Sequence, residues 1–330
     1  MKKFLVIQTA SIGDVILSTP NIEKLNKYFP GAEIDILLKK GNESLFDQHP
    51  ILNKILIWDK ANNKYKNLYF LLKTIRKTKY DCVINVQRFA SSGLLTAFSG
   101  AKQKIGFDKN PLSFLFDISI KHSIQSQALH ETARNLKLIE GFTDSVRFPI
   151  KLYPSQANFA KIEPFTNEKF ITISPASLWF TKEWPVEKWI EFLNKLKPEY
   201  QVYLLGSKTD IAKCESIASK TNYKQIEILA GQLSLLESAA LMKSAVMNYV
   251  NDSAPMHVAS SVDAPTAAIF CSTIPAFGFG PLSQKSFIIE TKEVLDCRPC
   301  GLHGHQACPK THFKCAKGID PKQLLDILPK

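Results

Sequence analysis

Asn251-Asp252-Ser253-Ala254-Pro255-Met256-His257 follows a short apolar run, residues 245–250, and precedes a helical pattern. The apolar run predicts a buried strand, and Pro255 suits the first turn of a helix, where a missing backbone N–H costs nothing. A strand, a short polar turn and a helix start are how α/β proteins present free amides and a helix dipole to an anion. The stretch therefore favours an α/β fold with an anion site at a strand end; an ordinary capped helix is the alternative for this motif alone.

Strand-like runs alternate with helical patterns along the whole chain, which predicts parallel sheets covered by helices. A length of 330 residues suits two domains. Three prolines and little periodicity mark residues 148–166, so we expect domains at 1–155 and 156–330. Pro20 predicts a bend or restart in the first helix. The predicted strands cover residues 4–8, 33–38, 54–58, 81–86, 104–107, 170–173, 201–205, 226–229, 245–250 and 266–270.

The charge balance favours an anionic partner. Lys+Arg exceed Asp+Glu by 42 − 30 = +12, which suits nucleic acid, a phosphorylated substrate or an anionic membrane surface. No nucleic-acid-binding motif or base-stacking platform occurs, which argues against nucleic acid. No uncharged apolar stretch of about 18 residues exists, so we expect no transmembrane helix. We expect a cytoplasmic protein whose seven cysteines are mostly reduced.

Residues 8–14 form the first candidate site, between the first strand and the first helix. Gly13 allows a tight turn or close ligand approach. Asp14 suits either a helix cap or a general base. No G-x-G-x-x-G occurs here, which disfavours a nicotinamide dehydrogenase, and no Walker A motif occurs either.

Residues 174–185 form the second candidate site, after the first strand of the second half. Lys182 lies just before a helix that Pro185 opens, where its ammonium could contact a diphosphate. The alternative is a solvated loop lysine, with Trp179 and Trp184 as packing residues.

Taken together, these segments resemble glycosyltransferase family 9, the bacterial lipopolysaccharide heptosyltransferases. The resemblance spans nearly the whole chain and rests on Ser11-Ile12-Gly13-Asp14-Val15 with Pro20, Ser174-Pro175-Ala176-Ser177 with Lys182-Glu183-Trp184-Pro185, Leu204-Leu205-Gly206-Ser207, Ala230-Gly231-Gln232-Leu233-Ser234, residues 251–257, and Ala264-Pro265-Thr266. It implies a GT-B fold: two Rossmann-like domains that face each other across a cleft. It also implies an inverting transfer from a nucleotide sugar, typically ADP-heptose, to an anionic lipid-linked saccharide at the inner membrane surface.

The resemblance also implies residue roles. Asp14 would be the base that deprotonates the acceptor hydroxyl, and the first domain would hold the acceptor. The residues expected to bind the donor are Ser177, Lys182, Leu233, Asp252, Ser253, Ala254, His257 and Asp210, with Leu233 against adenine and Asp210 near the ribose. The residues expected to bind the acceptor are Ser11, Gly13, Lys102, Lys104 and Arg134. No cofactor is expected, and no metal, since no D-x-D motif is apparent. The competing hypotheses are a family 9-like transferase that uses another nucleotide sugar, a non-catalytic binder of anionic glycolipid, and a sugar-nucleotide epimerase.

Four cysteines lie within residues 297–315, the cysteine segment, as Cys297-x2-Cys300 followed by Cys308 and Cys315, with His303, His305 and His312 between them. The spacing leaves three alternatives open: reduced structural thiols, a zinc site, or disulfides. We expect transfer not to need zinc, because the segment follows the donor motifs and lies near the chain end.

Overall fold

The computed structural model describes residues 1–124 and 129–329. The chain divides into two compact units, an N-terminal unit of residues 1–153 and a C-terminal unit of residues 154–330. Each unit contains a six-stranded parallel sheet covered by helices, which confirms the predicted α/β class and the pair of Rossmann-like domains.

The N-terminal unit has the strand order β3-β2-β1-β4-β5-β6. Its strands are β1 (Lys3–Ile7), β2 (Glu33–Lys39), β3 (Leu52–Trp58), β4 (Cys82–Asn85), β5 (Gln103–Phe107) and β6 (Ile118–Ile120). Its helices are α1 (Ile12–Tyr28), α2 (Lys64–Thr78), α3 (Ala90–Ala97) and α4 (Glu131–Glu140). The strand order reverses between β1 and β4, and ligands bind beyond the carboxyl ends of strands at such a switch point.

The C-terminal unit repeats this topology with the order β12-β11-β10-β7-β8-β9, so its switch point lies between β7 and β10. Its helices are α5 (Gln156–Ile162), α6 (Val186–Lys195), α7 (Ile211–Lys220), α8 (Leu235–Ser244), α9 (Ala254–Ser261), α10 (Lys314–Lys317) and α11 (Lys322–Leu325). Its strands are β7 (Phe170–Ser174), β8 (Gln201–Leu204), β9 (Ile226–Ile228), β10 (Met247–Asn251), β11 (Thr266–Phe270) and β12 (Ser286–Glu290).

The sequence located ten of the twelve described strands, including the edge strands β3 and β9, but missed the edge strands β6 and β12. Central strands β7 and β10 are buried along their whole length, so they appear in the sequence as continuous apolar runs. Strand β6 has three residues, and β12 leaves alternate side chains exposed to solvent. Neither β6 nor β12 has the continuous buried run that marks the central strands.

The predicted restart at Pro20 is wrong, because α1 continues through it as one helix. A proline cannot donate the hydrogen bond that the carbonyl of Ile16 would otherwise accept. The hydroxyl of Thr19 donates to that carbonyl instead, at 2.7 Å. The backbone group left by Pro20 is thus satisfied, and the helix has no need to end there.

The proline-rich stretch 148–166 contains a helix, α5, that the sequence analysis missed. Ser155 caps it: the backbone N–H of Ser155 donates to the Asn158 side chain at 2.8 Å, and Asn158 N–H donates back to Ser155 Oγ at 3.4 Å.

In the part of the chain that the structure describes, no helix is both long and apolar enough to cross a membrane.

Candidate functional site

The carboxyl end of β1 leads into the capped start of α1. Ser11 is the N-cap residue, and the carboxylate of Asp14 accepts hydrogen bonds from its backbone N–H at 3.3 Å and from its hydroxyl at 2.5 Å. Asp14 therefore acts as a capping residue. Gly13 is buried between them, whereas the Asp14 side chain is partly exposed. The carboxylate is oriented by Ser11 and remains accessible to a ligand.

Side chains from neighbouring strand ends fix this loop. The ammonium of Lys60, after β3, donates to the carbonyl of Thr9 at 2.8 Å. The amide of Asn42, after β2, donates to the carbonyl of Ala10 at 2.9 Å. Burial, followed by the charges of neighbouring lysines, lowers the pKa of Lys60. Sequence analysis gave neither residue a role, although both directly follow strands and obey the same strand-end rule.

Three basic residues expected at the acceptor site do not join this group. Lys102 precedes β5 and lies at the amino ends of the strands, on the opposite edge of the sheet from Asp14. Arg134 is buried in α4, only 3% exposed. Each is held by a carboxylate, in the pairs Lys102–Asp81 at 2.7 Å, Lys104–Asp117 at 3.2 Å and Arg134–Glu131 at 2.6 Å. The structure therefore brings Ser11, Gly13 and Asp14 together without them.

In the C-terminal unit, the loops after β7 and β10 meet at the switch point through an ion pair. Lys182 Nζ lies 2.7 Å from Asp252 Oδ2, and the two side chains are 16% and 7% exposed. The hydroxyl of Thr273, after β11, donates to the same carboxylate oxygen at 2.6 Å. Lys182 is thus a largely buried, fixed cation, which excludes the alternative of a freely solvated loop lysine.

Beside this pair lies the amino end of α9. Ser253 occupies the N-cap position, and its side chain makes no cap hydrogen bond; its hydroxyl donates instead to the carbonyl of Asn251 at 3.4 Å. Ala254 is the first helical residue, and His257 is buried one turn further on. The backbone N–H groups at the start of a helix attract anions when no side chain caps them.

The rest of the loop after β7 is anchored to the core. The carboxylate of Glu183 accepts the backbone N–H of Ser177 at 2.8 Å. The side-chain oxygen of Asn251 accepts the backbone N–H of Trp184 at 3.0 Å. Trp184 is buried edge-on against Trp189, with ring centroids 4.8 Å apart, so it is a packing residue, as the alternative interpretation of this stretch proposed. Asn251 is an anchor that sequence analysis did not assign.

The residues expected near the nucleoside lie on two adjoining loops. The backbone N–H of Gly231, after β9, donates to the carbonyl of Gly206, after β8, at 2.9 Å. Asp210 accepts the backbone N–H and the hydroxyl of Ser207, each at 2.7 Å, so it caps the turn that leads into α7. Leu233 is partly exposed in the loop after β9.

The cysteine segment packs directly on the loop that contains Lys182. The backbone N–H of Thr181 donates to the carbonyl of His305 at 3.0 Å, and the N–H of His305 donates to the Thr181 hydroxyl at 2.7 Å. This segment therefore contacts a donor motif that it follows in the sequence, and the expectation that transfer does not need zinc stays a prediction. Its lateness in the sequence concealed a contact that only the folded chain makes.

The thiols of this segment are free. Burial and then the neighbouring Cys308 raise the pKa of Cys315 to about 11. Cys297 Sγ lies 3.9 Å from His312 Nε2. Within residues 1–124 and 129–329, no three His, Cys, Asp or Glu side chains are grouped so as to hold a metal ion.

Arg298, between the first two cysteines of the segment, stabilises the turn that follows β11 through hydrogen bonds to its carbonyls. Its guanidinium donates to the carbonyls of Cys271 at 2.8 Å, Phe270 at 3.1 Å and Thr273 at 2.9 Å, and it pairs with Glu290 at 2.7 Å. Thr273 in turn contacts the carboxylate that pairs with Lys182. Sequence analysis missed Arg298; the available signal was that it is the only arginine in residues 154–330.

Comparisons with known proteins agree on one family. The sequence profile described as glycosyltransferase family 9 (heptosyltransferase) matches residues 68–303. Lipopolysaccharide heptosyltransferase 3 of Escherichia coli K12 is 29% identical over 280 residues, which cover 80% of this chain and 81% of the relative. The solved structure of E. coli ADP-heptose lps heptosyltransferase II has a TM-score of 0.80 at 23% identity and covers 99% of this chain and 97% of that chain. E. coli heptosyltransferase WaaC with ADP has a TM-score of 0.76 at 17% identity, covering 98% of both chains.

Proposed function

The chain belongs to glycosyltransferase family 9, the heptosyltransferases, and is an enzyme of GT-B fold; on this premise we propose that it moves a heptose from ADP-heptose to an anionic saccharide of the lipopolysaccharide core or lipid A type. Inversion at the anomeric carbon is part of the proposal. The printed names of the relatives, lipopolysaccharide heptosyltransferases, support the acceptor class.

The observation on which the proposal depends is the Lys182–Asp252 pair beside the amino end of α9. Sugar transfer passes through an oxocarbenium-like state while negative charge grows on the leaving diphosphate. Lys182 and the first amides of α9, with Ser177, Ser253 and Ala254, would stabilise that charge without rearranging. Asp252 and His257 would form hydrogen bonds with the sugar hydroxyls.

Asp14 is the proposed general base. Its carboxylate, held by Ser11 beside Gly13, would take the proton of the acceptor hydroxyl as that oxygen attacks the anomeric carbon. Direct displacement by the acceptor on the face opposite the leaving ADP inverts the configuration. Lys60 adds a fixed positive charge next to this loop and suits an anionic acceptor.

The remaining assignments complete the donor site. Leu233 would lie against the adenine and Asp210 near the ribose, on loops that Gly206 and Gly231 join. We propose a cytoplasmic enzyme in peripheral contact with the inner membrane, with no cofactor, no metal ion in a catalytic role and no nucleic-acid partner. Lys102, Lys104 and Arg134 receive no acceptor role, since their carboxylate partners and positions account for them.

A panel of nucleotide sugars in thermal-shift experiments, followed by a transfer assay, tests the proposal. A donor at about 100 times its Kd stabilises the folded chain by about 2.7 kcal/mol. We expect ADP-heptose to shift the melting temperature more than UDP- or GDP-sugars, and to release ADP when a lipid A-type acceptor is added. Binding without transfer to any anionic glycolipid would indicate the non-catalytic binder, and conversion of the donor without acceptor would indicate an epimerase.

A further inference from the structure

Helix α2 has two faces of opposite character. Leu68, Leu71 and Ile75 are buried and attach the helix to the sheet. On the other side, Tyr65 and Tyr69 are 78% and 64% exposed. Phe70, next to Tyr69 with ring centroids 5.8 Å apart, is 50% exposed. Large aromatic side chains thus point away from the core along a helix that the core already holds.

The same helix is strongly basic. Residues 64–78 contain no Asp or Glu, and their cations are exposed to solvent: Lys64, Lys66, Lys73, Arg76 and Lys77. Every other helix of ten or more residues in the described part of the chain contains at least one acidic residue. We call the exposed aromatic and basic side chains of α2 the α2 face.

The α2 face continues onto its neighbour and toward the proposed acceptor site. Helix α3, which packs on α2, is flanked by the exposed Phe89 and Phe98. The indole N–H of Trp58, the last residue of β3, donates to the carbonyl of Lys64 at 3.3 Å and fixes the start of α2 at the carboxyl edge of the sheet. Asp14 lies in the first turn of α1, which begins at this same edge. The exposed aromatics therefore begin on the side of the unit where the acceptor is proposed.

We propose that the α2 face is the surface by which the enzyme binds a bilayer that contains anionic lipids; this rests on the proposed function, whose acceptor is lipid-linked. Tyrosine settles at the depth of the headgroups, phenylalanine inserts at the boundary between headgroups and acyl chains, and lysine and arginine contact lipid phosphates. A second copy of the chain is disfavoured as the occupant, because it would bring five cations against five. A nucleic acid would use the cations, but the sequence contains no nucleic-acid-binding motif.

Vesicle co-sedimentation tests the proposal with two variants of the full chain. Lys66→Gln/Lys73→Gln removes charge and keeps the aromatics; Tyr65→Ser/Tyr69→Ser removes aromatics and keeps the charge. All four side chains are exposed, so folding should be preserved. The matched control is Lys292→Gln/Val294→Ser, which removes one exposed cation and one exposed apolar group in the C-terminal unit.

The wild type should bind vesicles of phosphatidylethanolamine and phosphatidylglycerol and bind phosphatidylcholine vesicles much more weakly. Each cation near an anionic surface is worth about a fivefold change in partitioning, so Lys66→Gln/Lys73→Gln should bind about 25-fold more weakly, and added salt should narrow that difference. Tyr65→Ser/Tyr69→Ser should lose the part of vesicle binding that persists at high salt, because aromatic side chains bind the membrane without relying on charge. Equal binding by all variants, or an equal loss in the control, would overturn the proposal. So would a change from dimer to monomer in the α2 variants, or tighter binding to RNA than to vesicles.

Activity separates this proposal from the proposed function. With a delipidated, water-soluble acceptor, the α2 variants should retain wild-type kcat/KM; with acceptor embedded in vesicles, they should lose it in parallel with vesicle binding. If the wild type transfers no sugar to either acceptor, the proposed function fails, while the vesicle result still decides whether the α2 face binds membranes.

Discussion

Replacing Lys182 by alanine removes the cation of the proposed diphosphate site and leaves a carboxylate behind. At 2.7 Å and an effective dielectric constant of about 20, the attraction between Lys182 and Asp252 is about 6 kcal/mol before the desolvation of both groups is subtracted. Breaking a buried pair costs about 3–5 kcal/mol. Because Thr273 still donates to the carboxylate and Lys182 is partly exposed, we expect a loss of about 2 kcal/mol in the free energy of unfolding.

The effect on the ligand is separate. A hydrogen bond to a charged group contributes about 1.5–3 kcal/mol, so Lys182→Ala should bind ADP about 10- to 150-fold more weakly. Lys182→Arg should restore this only in part, because a planar fork replaces a compact ammonium. Calorimetric titration with ADP and thermal denaturation of the same samples measure both quantities.

Two controls separate stability from binding. Lys182→Ala/Asp252→Asn leaves no uncompensated carboxylate, so it should regain stability and still bind ADP weakly. Lys195→Ala breaks an exposed pair with Glu191, at 2.8 Å, and should change stability by less than about 1 kcal/mol and ADP affinity not at all. Wild-type ADP affinity in Lys182→Ala would refute the assignment of the diphosphate site. Failure of the wild type itself to bind ADP would refute the choice of donor.

Three further perturbations follow from the site and its surroundings. Asp14→Asn should leave ADP-heptose affinity nearly unchanged and lower turnover about 100- to 10,000-fold, as loss of a general base does; steady-state kinetics with wild-type turnover would reduce Asp14 to its capping role. Arg298→Lys should lower the free energy of unfolding by about 2 kcal/mol, because a single ammonium cannot donate to all three carbonyls that the planar guanidinium reaches. It should also weaken ADP binding, because the guanidinium positions Thr273. A melting curve and an ADP titration identical to those of the wild type would contradict this. Burial, followed by the charge of Lys151, lowers the pKa of His49 to about 4. Since the unfolded state takes up this proton at about pH 6.5, the stability that neutral His49 contributes is complete above that pH and declines as the pH falls toward 4. Denaturant unfolding across this range should show the decline in wild type and a weaker one in His49→Gln.

Much of the site was predictable because buried parallel strands are visible in the sequence as continuous apolar runs. Asp14, Lys182 and Asp252 each lie in a segment that follows a continuous apolar run. A strand that is buried on both faces needs apolar residues along its whole length, so such a run is visible in the sequence. The sequence analysis did not identify Thr273 and Arg298. Both act through contacts with segments that are distant in the sequence, and no local sequence pattern predicts such contacts. Thr273 follows a strand that was correctly predicted, so the strand-end rule could have found it; nothing local identifies the three carbonyls that Arg298 reaches.

The sequence by itself determined two doubly wound units, the loops that end their central strands and the family to which they belong. Those features depend on local apolar patterns and on short motifs, which are written in neighbouring residues. Only the tertiary structure decided that the cysteine segment packs on the loop that contains Lys182, and that Lys102 lies on the opposite edge of the sheet from Asp14. It also decided that the cations and aromatics of α2 share one exposed face. Such relations depend on which surface each element buries, and burial is settled when distant segments pack together and exclude water.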